Sequence, residues 1–203
     1  MADFEIENSL NGKICGLDEV GRGPLVGPVT AACVYIPKAA RGLEFWSIVT
    51  DSKKLTAKKR EMLSPLIKEH CIWGIDEACA EEIDDLNILQ ASLLAMRRAY
   101  KAMDAVMDHA LIDGNQEAGL DCPEHTVVKG DSKSLSIAAA SIIAKVSRDH
   151  YMLGLHSEYP HYSWDSNAGY GTKAHLEAIN SHGITDHHRK SFRPISEICK
   201  KTA

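Results

Sequence analysis

Apolar positions along this 203-residue chain change their spacing several times, and each change marks an element. Ile14-Cys15-Gly16-Leu17 is a short apolar run that reads as a strand. It stops at two adjacent acids, Asp18 and Glu19, and the Gly21-Arg22-Gly23 that follows reads as a tight, open turn. Val29 to Ile36 is mostly apolar, rich in β-formers and closed by Pro37, which predicts a buried strand paired with the first. After Thr56, a good N-cap, Met62, Leu63, Leu66 and Ile67 recur at helical spacing to about His70, with Pro65 inside the run. Cys71 to Ile75 predicts a third strand. From about Asp84 to Met103, Leu86, Leu89, Leu93, Leu94, Met96 and Tyr100 predict one long helix, with Arg97, Arg98 and Lys101 where its dipole favours cations. His109 to Asp113 and Thr126 to Asp131 each read as a short strand ending in an acid with a glycine nearby. Ser134 to about His156 reads as a long helix whose Ala138-Ala139-Ala140-Ser141 stretch is small enough to pack closely on a sheet. One more helix is expected near Thr172 to Ser181.

Strands alternating with helices predict an α/β class, a mixed or parallel central sheet flanked by helices. With 44% hydrophobic and 25% charged residues, the chain is in the globular range, so residues 1–203 are expected to form a single domain. The residues from about 155 are expected to be a small helical appendage at its C-terminal end. Six scattered cysteines without a C-x-x-C pair suit a reducing compartment. The N-terminus lacks the basic and apolar regions of a signal peptide, and no apolar run is long enough for a membrane span. A cytoplasmic protein with no membrane association is therefore expected.

Charge modifies this picture. The net charge of -5 disfavours a nucleic-acid partner taken at face value, yet Ser52 to Arg60 holds five basic residues in nine positions, and His187-His188-Arg189-Lys190 with Arg193 forms a second cluster. Local basic patches beside acids are enough to bind a phosphate backbone. Three separate strand ends finish in acids: Asp18 with Glu19, Asp113, and Asp131. Side by side they would converge on one spot, where divalent cations relieve their mutual repulsion. Carboxylates beside a turn that offers amides and a guanidinium suit metal-assisted attack on a phosphodiester. The ten histidines do not argue for zinc, because His187 and His188 have no cysteine at ligand spacing.

An ordered set of segments resembles the motif series of bacterial ribonuclease HII: Gly16-Leu17-Asp18-Glu19-Val20-Gly21-Arg22-Gly23-Pro24-Leu25-Val26-Gly27-Pro28, Asp51-Ser52-Lys53-Lys54-Leu55, Leu111-Ile112-Asp113-Gly114-Asn115, Lys129-Gly130-Asp131, Ala138 to Asp149, Gly169-Tyr170-Gly171-Thr172 and His188-Arg189-Lys190-Ser191-Phe192. The resemblance covers roughly residues 14 to 195. It implies a ribonuclease H-like fold whose carboxylates bind Mg²⁺ or Mn²⁺ and hydrolyse the RNA strand of RNA/DNA hybrids, leaving a 3′-hydroxyl and a 5′-phosphate. It also implies cutting on the 5′ side of single ribonucleotides embedded in duplex DNA. By motif, Asp18, Glu19 and Asp113 are the principal metal ligands and Asp131 the fourth acid. Gly21, Arg22 and Gly23 match the reader of the 2′-hydroxyl, Tyr170 the aromatic that packs on the next deoxyribose, and Lys53 and Asn87 phosphate contacts, with Lys145 and Arg189 as further candidates. Lys145, Arg148 and Asp149 also read as a structural charge set on the long helix.

Several positions depart from that pattern. Val20 stands where alanine is also common, Ser163-Trp164 replaces the usual Gly-Phe after Tyr162, Ala168 stands where lysine is frequent, and Gly183 to His187 replaces a more proline-rich stretch. Three other readings compete. The sister ribonuclease HIII usually carries an extra N-terminal domain, whereas 13 residues precede Ile14. A silent binder of RNA/DNA junctions would be expected to lack an acid. A dinucleotide-binding module would need a third glycine at the proper spacing and no acid pair beside the phosphates. No protein partner is evident from the sequence.

Overall fold

The strand Val29–Tyr35 is buried along almost its whole length, and its side chains alternate between two separate cores. Ala32 and Val34 face one, Ala31 and Cys33 the other. Such a strand needs a helical layer on each side. The computed structural model, which describes residues 2–202, supplies both. Its helices are α1 (Glu5–Ser9), α2 (Ala57–His70), α3 (Ala80–Leu86), α4 (Ile88–Ala102), α5 (Leu135–Glu158), α6 (Trp164–Asn167), α7 (Lys173–His182) and α8 (Ile195–Thr202). Its strands are β1 (Ile14–Val20), β2 (Val29–Tyr35), β3 (Ile72–Ala78), β4 (His109–Asp113) and β5 (Glu124–Val127), in the sheet order β3-β2-β1-β4-β5. β1 is antiparallel to β2 and parallel to β4, so the sheet is mixed.

Helices α5 and α2 cover one face and α4 the other, through the two cores that β2 divides. A third core, with Leu25, Val26, Met152, Leu155, Tyr162, Trp164, Ile179 and Ile195, joins the C-terminal helices to the far half of α5 and to the segment after β1. None of the described helices is long and apolar enough to cross a membrane.

The structure corrects several boundaries. The helix expected from Asp84 to Met103 is two helices broken at Asn87, which has φ +70°. The Asn87 side chain accepts the amides of Leu89 (3.0 Å) and Gln90 (3.2 Å), so one residue ends α3 and caps α4. The strand expected over Thr126 to Asp131 ends at Val127. Lys129 then turns left-handed (φ +57°), and Asp131 sits in a 3-10 turn over Gly130–Ser132, not at a strand end. The helices α1, α6 and α8, each of eight residues or fewer, are not anticipated from the spacing.

α1 reaches back to the start of α5. Glu7 Oε1 accepts the Ser134 hydroxyl (2.7 Å), the Ser136 amide (3.0 Å) and the Ser136 hydroxyl (2.7 Å). Asp3 bridges residues 133–135 through its own amide and carbonyl.

β1 and α5 meet at Gly16. A Cβ there would collide with the backbone of Ser136 and Ile137. Because both partners are backbone, neither can rotate away. Gly16→Ala is expected to destabilise the protein by about 2–3 kcal/mol, measured by urea denaturation. An unchanged midpoint would mean that α5 does not sit this close.

Candidate active site

Asp18 lies near the end of β1, and strand alternation points it at the face covered by α5, where it is 5% exposed beside Ser141. Glu19 points the other way, into a cleft lined by Arg22, Leu89, Ser92, Leu93, Met96 and Asp113. The parallel register sets Leu17 beside Ile112, so one further step brings Asp18 level with Asp113. Asp131 arrives by a different route: the Gly130 amide donates to Asp113 Oδ1 at 2.6 Å, tying its turn to the end of β4.

Electrostatics confirms the proximity. Burial pushes the Asp18 carboxyl well above its usual range, and Glu19, Asp113 and Asp131 push it further, while the Ser141 hydroxyl opposes. Glu19 is raised by burial and by Asp113 against the pull of Arg22, whose Nη1 lies 3.2 Å from Oε1. Asp131 is pushed up to about 6 by burial, then by Asp51 and Asp113, with Lys53 opposing. Three segments thus deliver four acids to one region of repulsion, as the sequence led us to expect. Asp51, which sequence reasoning quoted within a motif but gave no role, is a fifth acid at its edge.

Hard oxygen donors with an excess of negative charge suit Mg²⁺ or Mn²⁺. Among the described residues, no three acid, histidine or cysteine side chains are gathered at ligand spacing. Asp18 and Glu19 diverge across the strand, and Asp18 and Asp113 each engage a backbone amide.

Next to the acids, the Gly21-Arg22-Gly23 turn is held from below. The fully buried Arg189 guanidinium donates to the carbonyl oxygens of Gly21 (2.6 Å), Arg22 (2.9 Å), Gly27 (2.9 Å) and Pro28 (3.1 Å). Arg148 donates to those of Pro28 (3.1 Å), Val26 (2.9 Å) and Ala168 (3.2 Å). With the Gly21 and Arg22 carbonyls turned inward, the amides at the other ends of those peptides, of Arg22 and Gly23, donate to no acceptor among the described residues, and both residues are exposed. Tyr170 stands over this turn with its ring against Gly23, 53% exposed.

Two candidates are corrected by burial and pairing. Arg189 is sealed beneath the turn and is not a phosphate contact; burial and then the charge of Arg148 push it down to about 9. Lys145 is paired with Asp149, which also meets Arg60 at 3.4 Å, so those charges are engaged within the fold. Arg148 stands apart from that set. Lys53 is exposed near Asp131, and Asn87 is exposed at the start of α4, the helix that lines the cleft. The buried roles of Arg148 and Arg189 leave no sequence signal, since a lone arginine in a basic stretch reads as solvated.

A family model described as Ribonuclease HII matches residues 15–195. A Ribonuclease HII from Paramagnetospirillum magneticum is 50% identical over 197 residues, 97% of this chain and 98% of the relative. Another from Magnetococcus marinus is 53% identical, covering 91% of this chain and 86% of the relative. Among solved structures, the ribonuclease H2 from Pyrococcus horikoshii OT3 superposes with a TM-score of 0.77 at 24% identity, covering 93% and 98% of the two chains. Bst-RNase HIII in complex with Mn²⁺ gives 0.72 at 19% identity, over 93% of this chain and 70% of that one.

Because the folded carboxyls titrate above their unfolded values, their contribution to stability is present in acid and lost as pH rises through the raised values. Asp18→Asn is therefore expected to make the metal-free protein more stable at pH 7.5, with the difference shrinking toward pH 4 in urea titrations. The same variant should lose most of the melting-temperature gain that wild type shows with Mg²⁺. Arg189→Lys keeps a charge but not the planar fork, and is expected to cost about 2–4 kcal/mol and to lower cleavage at temperatures where it remains folded.

Proposed function

The chain belongs to the ribonuclease HII family, divalent-metal-dependent endoribonucleases that act on RNA in RNA/DNA hybrids, and from that premise we propose how its residues divide the work. The supporting observation is the meeting of Asp18, Glu19, Asp113 and Asp131 beside a turn whose amides face outward under Tyr170. The four acids would hold Mg²⁺ or Mn²⁺. When bound, the cations supply Lewis-acid stabilisation of the charge that builds on the phosphate oxygens.

The rest falls to the chain itself. Within the Gly21 to Gly23 turn, the outward amides of Arg22 and Gly23 and the Arg22 guanidinium bind the 2′-hydroxyl and adjoining backbone of one ribonucleotide, since a 2′-hydroxyl both donates and accepts. Tyr170 packs against the next sugar and favours a deoxyribose, which lacks the bulk of that oxygen. Lys53 and Asn87 hold phosphates on either side of the cut. Cleavage on the 5′ side of an embedded ribonucleotide, leaving a 3′-hydroxyl and a 5′-phosphate, is part of this reading, as the family resemblance implies. The protein works as one domain, and its six scattered cysteines, without a C-x-x-C pair, fit a reducing cytoplasm.

An end-labelled DNA duplex with one ribonucleotide tests this reading. In Mg²⁺ a single cut is expected immediately 5′ of the ribonucleotide, and none in EDTA; a cut elsewhere, or metal-free cleavage, would sink it. Gly21 is a poor probe of the reader, because at φ +93° its Cβ would strike the Arg148 side chain. Gly23→Ala is cleaner, as its Cβ meets only the Tyr170 ring, at 3.3 Å. It is expected to lower kcat/KM on the embedded-ribonucleotide duplex by about tenfold while changing the melting temperature little.

A further inference from the structure

Behind Tyr170 lies a buried hydrogen-bonded chain that ends on its backbone. Trp164 and His175 are fully buried and His188 is 1% exposed. The Trp164 indole Nε1–H, which can only donate, points at His175 Nε2 at 3.0 Å. The Thr185 amide, also only a donor, points at His188 Nδ1 at 2.9 Å, so a neutral His188 carries its proton on Nε2, 3.3 Å from the same His175 Nε2. His175 Nε2 therefore accepts, and a neutral His175 carries its proton on Nδ1, which sits 2.8 Å from the Tyr170 carbonyl oxygen. Every ring orientation in the chain converges on one donor and one carbonyl.

We propose that His175 is a positioning residue for discrimination between substrates: its Nδ1–H, oriented by Trp164 and His188, fixes the Tyr170 backbone so that the exposed ring is held over Gly23. The proposal rests on the reading of Tyr170 as the aromatic that packs on the deoxyribose. Tyr170 needs such an anchor. Its side chain is half exposed, and its neighbours Gly169 and Gly171 lie against Val26 and Leu25 with little side-chain packing of their own. The amide of Leu25 donates to the Gly169 carbonyl at 2.8 Å, which aligns the strand of chain but leaves the direction of the ring open. The His175 bond, with the Thr172 amide on the same carbonyl, fixes the next peptide. Burial lowers the proton affinity of His175, and burial together with His175 holds His188 down to about 4, so both rings are neutral at pH 7, the state the chain requires. Trp164 supplies a donor that a phenyl ring could not.

Two measurements test this. In wild type, ¹⁵N-¹H correlation of the histidine rings at pH 7 is expected to show the Nδ1–H tautomer for His175 and the Nε2–H tautomer for His188. A His175 proton on Nε2 would overturn the proposal without any variant being made. The second compares kcat/KM on a duplex with one ribonucleotide against a uniform RNA/DNA hybrid of the same sequence. His175→Leu fills the space but lacks the donor, and is expected to lower that ratio by about five- to tenfold, chiefly through KM on the embedded-ribonucleotide duplex. His175→Asn places an amide N–H near the position of Nδ1 and should keep the ratio within about twofold, although its smaller volume costs stability. Adding His175→Leu to Tyr170→Ala should change the ratio no further. If the ratio follows melting temperature across the two His175 variants, or if Leu keeps the wild-type ratio while Tyr170→Ala loses it, His175 is only structural. If Tyr170→Ala itself leaves the ratio unchanged, the reading of Tyr170 fails and this proposal fails with it.

Discussion

The arrangement hinges on two guanidinium groups buried without an acid partner. Sealing a charge from water is costly unless it is hydrogen-bonded. Every guanidinium nitrogen of Arg148 and Arg189 donates to a carbonyl oxygen, among those of Gly21, Arg22, Val26, Gly27, Pro28 and Ala168. A carbonyl turned inward forces the peptide plane to present its amide to the other side, so the grip below the turn generates the donor surface above it. The positive field of both side chains lies under that surface, where it favours an approaching phosphate. Phe192 completes the support, stacked 5.1 Å from the Arg189 guanidinium.

Close packing sets the other half of the site. Gly16 and the Ala138 to Ala140 run let β1 and α5 approach within backbone contact, which buries Asp18 against Ser141. The parallel pairing of β1 with β4 then sets Asp113 alongside, and one hydrogen bond from Gly130 imports Asp131 from beyond β5. Each step adds an acid to a region already short of positive charge. The fold therefore keeps a locally unfavourable cluster that a tightly packed scaffold must hold together, the usual exchange of stability for function.

Much of this was legible in the chain, because hydrophobic spacing reports burial directly. β1, β2, α5 and the pairing of the first two strands follow from apolar runs and their terminators, and the acids stood out by position. What escaped was set by single residues acting through backbone geometry. Asn87 breaks a run of helical spacing by adopting a positive φ while its own side chain caps the next helix. Asp131 lies past its strand because Lys129 turns left-handed. Arg148, Arg189 and His175 sit in stretches rich in charge or polar residues, where local pattern predicts solvent. Only long-range contacts make them interior, and no window of sequence contains those contacts. The resemblance to a family named the acids and Tyr170 as candidates but was silent about what lies behind them, and it offered Arg189, which is sealed beneath the turn, as a phosphate contact.

The bond between Glu7 and the serines at the start of α5 joins residues 127 and 129 positions apart. A ribosome delivers the chain from its amino end, at roughly 5–20 residues per second. The first helix must therefore wait, with its carboxyl unmatched, until the long α5 segment has emerged. During that interval the nascent chain already carries β1 and its acid pair, yet lacks the layer that buries Asp18. Burial of Asp18 is thus deferred to the last third of synthesis, and an incomplete chain stalled before residue 134 carries Asp18 and Glu19 without the helix that packs over Asp18.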